Sequence, residues 1–145
     1  MSNSSIAFFS EGFTTPDFDY DSIRRWIYEV VSSNDFDLGE VSFIFCNDEY
    51  LLKMNRDYIG HDYYTDIISF DYSSDKFISG DIFISLDTVK TNSDKYSVSF
   101  FNELLRVLIH GIFHFIGFND LTDEEKEVMR KVEDDALELY LSKYS

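Results

Sequence analysis

Basic residues are scarce in this chain: 12 Lys and Arg stand against 28 Asp and Glu, for a formal net charge of −16 over 145 residues. That balance argues against indiscriminate binding to polyanions, which clustered Lys and Arg would otherwise hold. The deficit is uneven. Residues 1–50 carry ten acidic and two basic side chains, and 121–145 carry eight and four, whereas 99–120 carry only two and one. Cysteine occurs once, as Cys46, so no disulfide can form within the chain, which fits a reducing cytosol. Cys46 lies in an apolar, strand-like run and reads as a small core residue rather than a nucleophile or ligand. With one proline there is no Pro-rich linker, and neither a repeat nor a low-complexity run occurs. No stretch of about 18 apolar residues is present, so no membrane span is expected. Met1 to Ser10 has neither a basic start nor a long apolar core and is not read as a signal peptide, so a cytoplasmic protein is expected. The length suits a single domain, 1–145, with a sizeable core.

What the chain does have is alternating patterns. Strands are expected at Ile6 to Phe9, Val41 to Cys46, Asp66 to Tyr72 and Gly80 to Ser85. Helices are expected at Asp17 to Ser32, Asp48 to Tyr58 (stopped by Gly60), Ser99 to Ile116 and Asp123 to Tyr144. The order β-α-β-α-β-β-α-α predicts an α+β fold, with a small mixed four-stranded sheet packed by helices.

The most apolar stretch is LLRVLIHGIFHFIGFND, Leu104 to Asp120. A helix that is apolar nearly all round is a buried helix. Its polar side chains, Glu103, Arg106, His110 and His114, follow one another at spacings of three and four and share one stripe. Buried imidazoles need a cavity or a partner. Gly117 suits a left-handed helix stop, and Asp120 follows three residues later. Thr122 with Glu125 forms a T-x-x-E capping box for the next helix, which leaves Asp120 unneeded as a cap. The spacing H-x3-H-x2-G-x2-D can therefore bring a carboxylate to two imidazoles. Catalytic zinc takes three protein ligands and one open position. His61 lies beside Asp62 in a polar turn and reads as a loop residue. Arg56 and Lys53 share a helix that reads as an exposed face, although Arg56 could meet a phosphate.

HGIFHFIGFND resembles the H-G-x-x-H-x-x-G-Y-D-H motif of the YbeY family of metal-dependent endoribonucleases. Met54-Asn55 followed by Tyr58, Thr65-Asp66-Ile67-Ile68-Ser69-Phe70, and Gly80-Asp81-Ile82-Phe83-Ile84-Ser85 resemble further blocks of that family in the same order. Met129-Arg130 through Glu133 resembles its closing helix. The resemblance implies a metal cleft beside the histidine-bearing helix, with one Zn2+ on His110, His114 and Asp120. It implies cleavage of single-stranded RNA in processing of the 16S ribosomal RNA 3′ end and in ribosome quality control, with ribosomal RNA and the small subunit as partners and no membrane. Two positions depart from the pattern. Asp120 stands where the family usually has a third histidine, and Ile59 where it usually has an arginine after the tyrosine. Arg56 and Arg106 are the candidates to replace that arginine.

Glu103 has two readings: it orients a ligand imidazole from behind, or it pairs with Arg106. Tyr58, Tyr63 and Tyr64 are candidates for stacking unpaired bases. A peptidase with the same ligand spacing needs Glu directly after the first histidine, and Gly111 stands there. The second reading overall is a ribosome-associated binding factor with a structural metal, which the −16 charge favours.

Overall fold

The computed structural model describes residues 5–12, 15–59 and 67–145, with the backbone alone at 58 and 59. The strands are β1 (Ile6–Ser10), β2 (Asp37–Cys46), β3 (Ile67–Asp71) and β4 (Phe77–Ser85). The helices are α1 (Tyr20–Ser33), α2 (Asp48–Met54), α3 (Leu86–Lys95), α4 (Phe100–Ile116) and α5 (Asp123–Leu139). One mixed sheet runs β1-β2-β4-β3, with β1, β2 and β4 parallel and β3 antiparallel to β4. The architecture is the expected α+β one.

Side-chain alternation along each strand sorts the two faces. Val41, Phe43 and Phe45 of β2 and Ile78, Ile82 and Ile84 of β4 point into the main core with α1, α4 and α5. Cys46, Ile68, Phe70 and Phe83 point the other way, against Leu51 and Met54 of α2. Cys46 is thus a core residue, as its run implied. Burial, followed by the nearby carboxylates of Asp48, Asp87 and Glu11, pushes its thiol up to about 12. Trp26 is fully buried and donates its indole N–H to the Ala136 carbonyl at 2.7 Å, tying α1 to α5. No helix among the described residues is long and apolar enough to cross a membrane.

Several element bounds differ from the sequence-based expectation. Helix α1 begins at Tyr20 rather than Asp17, because the Asp19 side chain accepts from Ser22 N–H and caps it. Strand β2 begins at Asp37, four residues early, and a register shift between Leu38 and Val41 absorbs the extra length. Strand β4 likewise starts at Phe77. The expected helix 48–58 is an α-helix only to Met54 and continues as a π-helical turn, Asn55–Ile59. The last helix also ends in a π-helical turn, Tyr140–Tyr144, after Leu139. Helix α3 was not expected at all. Its sequence, LDTVKTNSDK, buries only Val89 and Ser93, so it shows almost no apolar stripe. A cap makes it: the Ser85 hydroxyl accepts from Thr88 N–H. The Asp48 carboxylate then accepts from the hydroxyls of Ser85 and of Thr88, the latter at 2.6 Å, and so joins the starts of α2 and α3.

Helix α4 lies very close to the sheet. A Cβ on Gly111 would sit 2.9 Å from the Cδ1 of Ile82 and 3.3 Å from that of Ile67. One turn on, the ring of Phe115 fills the space over Gly80, where a Cβ would meet both that ring and the Phe70 carbonyl. The two glycines set the depth and rotation of α4 and so aim its polar stripe away from the sheet. Gly80→Ala should lower unfolding free energy by about 1–3 kcal/mol through overpacking. A reduced urea midpoint is the expected result, and a wild-type midpoint would refute the tight contact.

Candidate metal centre and its relatives

His110 and His114 stand one turn apart on α4, on the stripe that faces neither sheet nor core. Both are partly exposed, at 23% and 31%. Gly117, with φ +120°, ends the helix, and Phe118 N–H returns to the Phe113 carbonyl at 3.0 Å. The chain turns and Asp120 comes back over the imidazoles. Its Oδ2 lies 3.3 Å from His110 Nε2 and 3.6 Å from His114 Nε2, and the two Nε2 atoms are 3.0 Å apart. The capping box at Thr122 and Glu125 is present, so Asp120 has no capping duty.

A tetrahedral zinc with bonds of about 2.0–2.2 Å has ligand–ligand edges of about 3.3–3.6 Å. The two separations to Asp120 match these edges, and the two Nε2 atoms, at 3.0 Å, stand a few tenths of an ångström closer. The three side chains are therefore a group that could hold a metal ion, with ligand atoms all within 4.8 Å of one another. The replacement of a third imidazole by a carboxylate is compatible with this geometry, since zinc accepts either.

The residue that orients His110 comes from α5. Glu133 Oε2 lies 2.6 Å from His110 Nδ1. A carboxylate only accepts, so Nδ1 is the donor in this contact, and in the neutral imidazole Nε2 then keeps its lone pair on the side of Asp120 and His114. The other oxygen, Glu133 Oε1, accepts from Arg106 Nη1 at 2.9 Å, and Arg106 Nη2 reaches Asp134 Oδ1 at 2.7 Å. Glu133 is 8% exposed. Burial works against the Arg106 charge, but the hydrogen bonds and charges of Asp134 and Glu133 outweigh it, so its pKa stands above the ordinary guanidinium value. Arg106 thus directs both terminal nitrogens across to α5 rather than along its own helix. Glu103 is buried and lines the same cavity as Arg106 and His110.

Glu133 had no role assigned from sequence beyond its place in the closing helix. Its signal was there: Met129, Glu133, Ala136 and Leu137 form the buried stripe of α5, and an acid on such a stripe needs a partner. Arg56 is exposed on the π-helical turn and does not line the cavity at His110. His61, Tyr63 and Tyr64 lie outside the described residues, as do the side chains of Tyr58 and Ile59. Gly111 packs against the sheet at Ile82 and Ile67 and carries no carboxylate, so the general base that a peptidase of this ligand spacing needs is missing.

The family model described as "Endoribonuclease YbeY" matches residues 11–140. The chain belongs to the YbeY family. It is 46% identical over 132 residues to an Endoribonuclease YbeY of Bacteroides thetaiotaomicron, covering 91% of this chain and 96% of that protein. A second YbeY protein, from Christiangramia forsetii, is 45% identical over 140 residues, or 97% of each chain. Among solved structures, the solution structure of a Thermotoga maritima protein shares the fold, with a TM-score of 0.64 at 24% identity over 94% of this chain and 92% of that one.

Two substitutions test the centre. His114→Ala should bind far less zinc than wild type, and full retention would remove His114 from the ligand set. Glu133→Gln should weaken zinc binding by about 10- to 100-fold, the usual effect of losing a carboxylate behind a ligand histidine. An unchanged zinc Kd, measured by competition with a chelating dye, would refute the orienting role.

Proposed function

We propose that this protein is a zinc-dependent endoribonuclease that cuts single-stranded RNA and acts on the 3′ end of 16S ribosomal RNA during small-subunit maturation and quality control, in the cytoplasm. The observation that carries the reading is the set of three donors, His110, His114 and Asp120, converging at 3.0–3.6 Å, with His110 and Asp120 lining a cavity of about 550 Å³. Membership in a family whose curated relatives are named endoribonucleases supports it. A structural zinc site is closed by four protein ligands, whereas three ligands leave a position open, which favours catalysis over a purely structural metal.

Each residue has a task in this reading. His110 and His114 offer neutral nitrogens and Asp120 a carboxylate oxygen to the metal. When bound, zinc supplies Lewis acidity at a phosphoryl oxygen and brings the pKa of its water toward 7. Glu133 keeps the proton on Nδ1 of His110, so that Nε2 stays available as a ligand. Arg106 holds Glu133 in place and lines the cavity. It is better placed than Arg56 to stand near a phosphate beside the metal. The nucleophile is either water or the 2′-hydroxyl of the substrate, and the product ends distinguish them: a 2′,3′-cyclic phosphate marks the latter.

Purified wild-type protein should cleave an unstructured RNA, and His114→Ala from an identical preparation should lose that cleavage by at least about 100-fold, the scale of losing metal activation. Equal cleavage by both would identify a contaminating nuclease and overturn the assignment.

A further inference from the structure

The cavity beside His110 extends well past the metal ligands, between the end of α3, the start of α4 and one face of α5. Besides the residues of the metal group it is lined by Tyr96, Asn102, Lys126 and Arg130. Lys126 and Arg130 are four apart on α5, and therefore neighbours on one side of the helix. Both are exposed. Among the described residues neither side chain makes a hydrogen bond or ion pair. The other charged contacts at this end of the fold are satisfied: Arg106 is held by Glu133 and Asp134, and Lys131, on the same helix but outside the cavity, pairs with Asp135 at 3.5 Å. In a chain with more than twice as many acids as bases, two adjacent cations in one cavity with no partner among the described residues stand out. Among the described residues, the cavity lining holds three cations, Arg106, Lys126 and Arg130, against three carboxylates, Glu103, Asp120 and Glu133. It is formally balanced where the chain as a whole carries −16.

Across the cavity, Tyr96 stands at the end of α3 with 54% of its surface exposed. The ammonium of Lys95 lies 5.5 Å from its ring centroid. A cation near an aromatic ring is attracted to its face and helps to hold the ring in place. An exposed flat ring opposite unpaired cations is the pairing that single-stranded nucleic acid requires: stacking for a base and positive charge for the backbone.

From this we infer that the cavity between α3 and α5 is the seat of the RNA strand next to the cut, with Lys126 and Arg130 on consecutive phosphates and Tyr96 stacked on a base. The inference rests on the reading of the metal centre as a ribonuclease and adds the path of its substrate. It also reconciles the acidity with the substrate: the negative surface repels bulk RNA, and one balanced cavity admits a single strand. The sequence-based candidates for stacking, Tyr58, Tyr63 and Tyr64, are not required for it.

The test is binding of a 2′-O-methylated, unstructured 12-nucleotide RNA to the zinc-loaded full chain, by fluorescence anisotropy over a salt series. The double variant Lys126→Gln/Arg130→Gln should raise the Kd by roughly 10-fold or more near 0.1 M salt and flatten the slope of log K against log salt by about 1.4, which is two single-strand phosphate contacts. Tyr96→Leu should raise the Kd by about 5- to 100-fold without changing that slope, and Tyr96→Phe should bind like wild type. Lys131→Gln, a single charge removed from α5 outside the cavity, should leave both quantities unchanged. Zinc content serves as the check that each variant keeps its centre. If the double variant keeps the wild-type Kd and slope while wild type cleaves RNA, the strand path is wrong and the nuclease reading stands. If Lys131→Gln weakens binding as much as the double variant, the effect is general charge and the path is also wrong. If wild type neither binds nor cleaves single-stranded RNA, both readings fall.

Discussion

A single buried carboxylate, Glu133, joins the two parts of the molecule on which the site depends. It accepts from His110 on one oxygen and from Arg106 on the other. Both donors belong to α4 and the acceptor to α5, so the contact that packs these helices is also the contact that sets the tautomer of a candidate metal ligand. A buried charged network of this kind contributes little net stability, because desolvation offsets attraction. Its value here is geometric. It holds an imidazole nitrogen in a chosen direction without using any donor atom of the metal group itself.

The sheet supplies the other half of that geometry. Gly111 and Gly80 let α4 and Phe115 approach the strands to a depth that any side chain at either position would disturb. Helix α4 is apolar round most of its circumference and could in principle have settled in several rotations. The close contact at Gly111 selects one, and it leaves Arg106, His110 and His114 facing out toward α5 and Asp120. Burying the rest of the helix adds to the hydrophobic core, with Leu104, Leu105, Leu108, Ile109 and Ile112 all essentially inaccessible.

Charge is distributed by the same logic. Most acidic residues of this chain lie outside the cavity, while the few cations near the site are either committed to a named partner or face the cavity. An acidic protein that handles a polyanion must confine its favourable electrostatics, since long-range attraction is unavailable to it. Association is then governed by contacts within a Debye length of about 8–10 Å, rather than by steering from afar.

Sequence alone determined the α+β class, the four strands, the buried histidine helix, its stop at Gly117 and the trio His110, His114 and Asp120. These are local facts. Helical period places i and i+4 together, a glycine permits a positive φ, and a capping box frees the residue before it. Family blocks in order added the expected chemistry. Tertiary structure alone decided what reads through space. Helix α3 has almost no apolar stripe and exists because Ser85 caps it and Asp48 ties it to α2. The bond between Glu133 and His110 spans 23 residues, so no local periodicity could pair them. Arg106 has Glu103 three residues before it, an obvious partner by helical spacing, yet turns to α5, where Glu133 and Asp134 together accept both ends of its planar fork. The same packing of α3, α4 and α5 makes a cavity from Tyr96, Lys126 and Arg130, residues that carry no pattern until three helices bring them together.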